Sequence, residues 1–150
     1  MPAEVFRNLG VEQVAFADLL KMSDYVSIHS PLTPETKGMF NADAFGQMKK
    51  GSYVVNTARG PIVDEAALAA AIDSGHLAGA ALDVMTNEPP VNSPLIGKRN
   101  VIITPHTSFY SEESLVELQT KAAQEVASVL TGKAPRNPVN QVAPPSRAGV

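Results

Sequence analysis

SYVVNTARGPIVDEAALAAAIDSGHLAGAALDV, residues 52–84, decides the fold. It opens on an apolar run rich in β-branched residues, 52–57, and closes on another, 79–84 (GAALDV). Between them Asp64 is a suitable N-cap for a helix over 65–74, and Gly75 stands where a left-handed C′ residue belongs. Strand, helix and strand in that order make a crossover unit, whose two strands run parallel. Runs of the same kind lie on either side, at 25–29 (YVSIH) and 101–104 (VIIT). None of the four alternates cleanly between apolar and polar residues. That pattern predicts strands covered on both faces.

Further helices fill the intervals. Residues 17–22 form a short amphipathic stretch. Residues 42–48 follow Asn41, which can cap them, and stop before Lys49-Lys50-Gly51. Residues 112–130 form the longest helix, with Leu115, Leu118, Ala122, Val126 and Val129 on one stripe and Gly132 closing it. The resulting order, β-α-β-α-β-loop-β-α, predicts an α/β fold with a parallel sheet. Beyond Lys133 come Pro135, Pro138, Pro144 and Pro145 without apolar periodicity. Residues 141–150 read as a mobile tail.

Composition narrows the function classes. At 150 residues, 44% hydrophobic and 18% charged, the chain has enough apolar surface for one packed domain and is not a disordered polyelectrolyte. A net charge of −3 with no basic block argues against a nucleic-acid footprint. There is no cysteine, so disulfides and thiol chemistry are excluded and a cytoplasmic location is the expectation. No apolar run approaches about 20 residues, and no signal peptide is visible, so no membrane partner is expected.

Ligands of open parallel sheets bind beyond the carboxyl ends of the strands. The segments there contain Ser30-Pro31-Leu32-Thr33, Ala58-Arg59-Gly60, Met85-Thr86-Asn87-Glu88-Pro89 and Pro105-His106-Thr107-Ser108. A guanidinium, a carboxylate and an imidazole therefore leave neighbouring strands at one edge. Arg59 offers a planar fork for an anion, while His106 can move a proton near neutrality and a nearby carboxylate stabilises its charged form. Each has a bland reading alone: a surface arginine, a solvated loop acid, a structural histidine. Their meeting at one edge is what suits them to proton transfer beside an anionic group. His29 and His76 lack partners at metal-ligand spacing and are assigned to structure or solvent; no metal site is expected. Asp64-Glu65 and Lys49-Lys50 sit at helix ends and read as complements to the helix dipole.

Several strings, taken together, resemble the NAD-dependent D-isomer-specific 2-hydroxyacid dehydrogenases. They are HSPLTPET (29–36), MKKG (48–51), VNTARG (55–60), VDEAAL (63–68), GAALDV (79–84), Glu88-Pro89 and Thr104-Pro105-His106. The string PHTSFYSEE (105–113) resembles the C-terminal-binding-protein-like branch of that family. The resemblance implies a Rossmann-like, doubly wound parallel sheet and reversible reduction of a 2-oxoacid to a D-2-hydroxyacid by hydride transfer. It implies that Arg59 holds the substrate carboxylate and carbonyl, that His106 is the proton donor, and that Glu88 orients His106 and keeps it protonated. It places Asp83 against the nicotinamide carboxamide. Ser30, Pro31, Leu32, Thr33, Thr36, Thr57, Ala58, Arg59 and the vicinity of His106 would line the cofactor. NAD is the implied cofactor, with NADP left open, and the full-length form would be a homodimer.

No Gly-x-Gly occurs among the ten glycines, whereas a dinucleotide fold seats the pyrophosphate on such a turn. The chain is therefore expected to be the C-terminal part of such an enzyme, lacking the first βαβ unit: an incomplete NAD-binding domain over 1–110, a helix and return segment over 111–140, and the tail. The strand at 25–29 would then be an exposed edge, the segment 13–15 would lack a strand neighbour, and the helix over 112–130 would lack part of its packing partner. The isolated chain would be marginal or self-associating and inactive alone. The alternatives are an NAD-sensing, corepressor-like binding module and a fragment without function.

Overall fold

The computed structural model describes residues 3–140. The chain divides into two compact units, Met1–Ser108 and Phe109–Val150. In the first, the element order is α1 (Ala3–Asn8), α2 (Phe16–Met22), β1 (Tyr25–Ile28), α3 (Ala42–Gln47), β2 (Tyr53–Asn56), a 3-10 turn at Gly60–Ile62, α4 (Glu65–Asp73), β3 (Gly79–Leu82) and β4 (Val101–Ile103). The four strands form one parallel sheet in the order β1-β2-β3-β4. The expected tail, 141–150, lies outside the described residues. Helix α1 was not foreseen in the sequence, and residues 13–15 form no strand.

Local chemistry sets the helix starts. Asn41 accepts from the Ala44 N–H, and Asp64 accepts from the N–H groups of Ala66 and Ala67, so both are N-caps as their positions suggested. Gly75 has φ +70°, the left-handed geometry expected after α4. Gly79 opens β3 where the Asn100 carbonyl crosses; a Cβ there would lie 2.3 Å from that oxygen.

The expectation of strands covered on both faces is not met. Register aligns Val26, Val54, Ala80 and Val101 in one row and Ile28, Asn56, Leu82 and Ile103 in the next. Both rows face the core with Leu20, Phe45, Leu68, Ile72 and Leu95. The alternate residues do not: Tyr25 is 70% exposed and Ile102 66%. The physical reason is handedness. Right-handed crossovers that always step in one direction put α3 and α4 on the same face. Continuous apolarity in these strands therefore has two sources, the core on one side and an open face on the other, where the rings of Tyr25 and Tyr53 stack at 5.1 Å. Strand β1 pairs only with β2 and is an open edge among the described residues, as the sequence implied.

The second unit contains α5 (Glu112–Leu130). Ser111 accepts from the Ser114 N–H at 3.0 Å and the Ser114 hydroxyl accepts from the Ser111 N–H at 2.9 Å, a reciprocal cap. No residue of α5 is buried, including its apolar stripe.

Two buried polar side chains shape the carboxyl edge of the sheet. Asn56, at the end of β2, accepts from the Ala58 N–H and donates to the Arg59 carbonyl, both at 3.0 Å, which bends the chain into Arg59. Asp83, just beyond β3, accepts four hydrogen bonds: Thr104 Oγ1 (2.5 Å) and Thr107 N–H (2.9 Å) on one oxygen, Ser108 N–H (2.9 Å) and Ser108 Oγ (2.6 Å) on the other. Its backbone carbonyl accepts from the His106 N–H at 2.9 Å. Between these bonds His106 has φ +54°, a left-handed conformation that costs a β-substituted residue about 1–2 kcal/mol. Burial pushes the Asp83 carboxyl up, but the Ser108 and Thr104 hydroxyls and the N–H groups of Ser108 and Thr107 outweigh it and hold the group well below the usual carboxylate range.

A native-state value below the unfolded one means that the stability from Asp83 is complete above about pH 4 and is lost as pH falls toward the native value. Resistance of the chain to urea should therefore fall with acidification below about pH 4. Asp83→Asn should flatten that dependence and destabilise by about 1–2 kcal/mol at neutral pH, because at least one part-buried N–H loses its acceptor. A change within about 0.5 kcal/mol, as at an ordinary surface position, would contradict this role.

Candidate functional site

Four loops leave the carboxyl ends of β1 to β4, and their side chains gather in two clefts. The first, beyond β1 and β2, is lined by His29, Ser30, Pro31, Leu32, Thr57, Ala58 and Arg59. Thr33 and Thr36 are absent from its lining; they tie the loop that follows Ser30. Thr36 Oγ1 donates to the Pro31 carbonyl at 2.7 Å and accepts from the Thr33 N–H at 2.8 Å, a hydroxyl-tied turn that fixes 31–36. Arg59 is exposed, with its Nη1 donating to the Ala58 carbonyl at 2.6 Å.

Beyond β3 and β4 lies the second cleft, lined by Asp83, Met85, Glu88, Pro89, Pro90, Ile103, Thr104, Pro105 and His106. Here the structure brings together two of the three residues read as a site. Glu88 Oε2 lies 2.7 Å from His106 Nδ1. The other oxygen, Oε1, accepts from the Met85 N–H at 2.9 Å. The hydrogen bond from His106 does most to hold the Glu88 carboxyl below its ordinary range, followed by the Met85 N–H; burial and the charge of Asp83 act the other way. An ionised carboxylate only accepts, so Nδ1 carries the proton of this bond. Nε2 is the ring nitrogen that this bond does not use.

Arg59 stands at the same sheet edge, in the first cleft. The two clefts are joined through backbone. Gly60 packs so closely that a Cβ would lie 2.0 Å from the Met85 carbonyl carbon and 2.5 Å from the Thr86 nitrogen. A glycine is needed next to Arg59 because the Glu88 loop passes over it.

The Asp83 carboxylate is engaged from within the protein, with two donors on each oxygen. Sequence reading missed Thr104, Thr107 and Ser108 as its partners. The available signal was the run of hydroxyl side chains on both sides of His106. Glu65 is also not the simple dipole complement expected of it: Oε1 accepts from the Thr86 N–H at 2.7 Å and Oε2 from Ser93 Oγ at 2.6 Å. His29 and His76 each have a bond within the chain, the first to Ser27 Oγ at 2.8 Å and the second to the Phe45 carbonyl at 2.9 Å.

Ser30, Thr57 and Ala58 give the first cleft two hydroxyls and one small side chain beside the larger His29, Leu32 and Arg59. A pyrophosphate cradle needs a glycine turn at a helix N-terminus, and the 150 residues contain no Gly-x-Gly.

Comparison with known proteins places this geometry in a family. Residues 2–108 match the model of the D-isomer specific 2-hydroxyacid dehydrogenase NAD binding domain. D-3-phosphoglycerate dehydrogenase 2 (chloroplastic) of Arabidopsis thaliana is 44% identical over 93% of this chain, which spans 22% of that protein. The holo form of Rhodotorula graminis D-mandelate dehydrogenase superposes with a TM-score of 0.87 at 36% identity, over 97% of this chain and 43% of that one. D-lactate dehydrogenase of Aquifex aeolicus, solved with NAD and lactic acid, gives 0.81 at 33% identity, over 88% of this chain and 44% of that one. The chain thus spans less than half the length of each of these three proteins. It belongs to the D-isomer specific 2-hydroxyacid dehydrogenase family, and the part of the family that it matches is the NAD binding domain.

Proposed function

We propose that residues 29–106 supply the catalytic edge of an NAD-dependent enzyme that interconverts a 2-oxoacid and a D-2-hydroxyacid. The observation that supports this most is the Glu88–His106 pair at 2.7 Å, in a cleft at the carboxyl edge of a parallel sheet. Ser30, Pro31, Leu32, Thr57 and Ala58 would hold the nicotinamide end, with Thr33 and Thr36 fixing their loop. NAD, when bound, supplies or accepts the hydride.

The chain's own residues do the rest. Arg59 binds the substrate carboxylate with a planar fork and draws electron density from the adjacent carbonyl. His106 gives a proton from Nε2 to the carbonyl oxygen during reduction and takes it back during oxidation. Glu88 accepts from Nδ1, which fixes the ring's orientation and offsets its charge when both nitrogens are protonated. Asp83 holds the turn on which the imidazole is mounted. In this reading the full-length protein works as a homodimer in the cytoplasm. The branch resemblance of residues 105–113 supports a second reading, an NAD-sensing corepressor-like module, which needs the bound cofactor and no turnover.

A chimera separates the two. Residues 2–108 would replace the matching segment of Aquifex aeolicus D-lactate dehydrogenase, with NADH consumption measured on pyruvate. The chimera should turn over. His106→Ala should lower kcat by about 10²–10⁴, and Arg59→Ala should lower kcat/KM by about 10²–10³. Unchanged rates in both variants would contradict the assigned roles, and a folded chimera without turnover would favour the binding module. For the 150-residue chain alone, calorimetry should detect no micromolar NAD binding, because no glycine turn is present to seat the pyrophosphate; tight binding would overturn that expectation.

A further inference from the structure

We propose that Glu65 is a positioning residue for the Glu88–His106 pair: it ties the loop that carries Glu88 to the start of α4 and so sets where that carboxylate meets the imidazole. The inference rests on the functional reading above for its significance, although the contact itself does not.

Glu65 is the first residue of α4, a position where an acid ordinarily serves the helix dipole. Capping there is already complete, since Asp64 accepts from both Ala66 and Ala67. The two oxygens of Glu65 turn instead to the loop after β3, one to the Thr86 N–H and one to Ser93 Oγ. Those two partners bracket Glu88. One lies two residues before it and the other five residues after it. Ser93 Oγ also accepts from the N–H of Leu95, whose side chain is fully buried, so the far end of the loop is fixed to the core. The near end is fixed by Gly60, against which Met85 and Thr86 lie in backbone contact.

Glu88 uses the anchored part of this loop directly. Its Oε1 accepts from Met85, the neighbour of Thr86, while its Oε2 reaches His106. Releasing Thr86 would free the backbone that orients the Glu88 carboxylate. The same short segment, 59–65, thus holds the cation of the site at one end and the anchor of the acid–base pair at the other. A carboxylate with two rigid donors suits this better than a hydrophobic contact, because it fixes direction as well as distance.

The test uses the whole 150-residue chain and does not require turnover. Carboxyl 13C and imidazole 15N NMR titrations would follow Glu88 and His106, with Glu88→Gln for assignment and the His76 ring as an internal control. Glu65→Gln keeps the shape, one acceptor for Thr86 and one donor for Ser93, while removing the charge that would serve the helix dipole. Glu65→Ala removes both contacts. Glu65→Ala should raise the Glu88 midpoint and shift the His106 ring nitrogens, leave His76 unmoved, and be restored by Glu65→Gln. If Glu65→Ala unfolds, Ser93→Ala removes one of the two bonds and should shift Glu88 in the same direction by less. The proposal is overturned if neither alanine variant moves Glu88 and His106, if His76 moves with them, or if Glu65→Gln behaves as alanine does. Should these shifts appear while the chimera's His106→Ala variant keeps full activity, the anchor stands and the functional reading fails.

Discussion

A carboxylate enclosed by four donors holds the histidine in place. Asp83 leaves β3 at the edge of the sheet, and every acceptor position it has is taken by the chain that leaves β4. Those bonds, with the one from the His106 N–H to the Asp83 carbonyl, force His106 into a backbone conformation uncommon for a residue with a Cβ. At this turn Nδ1 of the imidazole meets the acid from the neighbouring loop.

The sheet supplies the second condition. Parallel strands in consecutive order carry the carboxyl ends of β2, β3 and β4 to one side, which brings Arg59, Glu88 and His106 to a common edge. The same order leaves one face of the sheet open and β1 unpaired on one side among the described residues, with aromatic and branched side chains exposed. The arrangement that collects the site thus also exposes apolar surface, and both follow from crossovers that step in a single direction.

Much of this was legible in the sequence, for particular reasons. The β-α-β order was readable because Asp64 and Gly75 mark the ends of a helix between two apolar runs, and the edge composition followed from asking which residues come after each strand. The open face was not readable. Tyr25, Tyr53 and Ile102 are as apolar as the buried residues beside them, and composition does not say which face a helix covers. The pairing of Glu88 with His106 came through as an inference, but the donors around Asp83 did not, since a serine or threonine after a strand carries no mark of its partner. Glu65 was hidden in another way: an acid at a helix start already has a sufficient local explanation, and its contacts lie 21 and 28 residues away.

These elements converge on one claim, that the imidazole held by Asp83 and Glu88 and the guanidinium of Arg59 address the same small anion. A crystal structure of the Aquifex chimera with NAD and oxamate, an unreactive likeness of a 2-oxoacid, examines that claim most directly. The account predicts the oxamate carboxylate on the Arg59 guanidinium and its amide oxygen within hydrogen-bonding distance of His106 Nε2, with Nδ1 still on Glu88. An ordered oxamate that touches only one of the two residues, or a His106 ring turned away from Glu88, would contradict it.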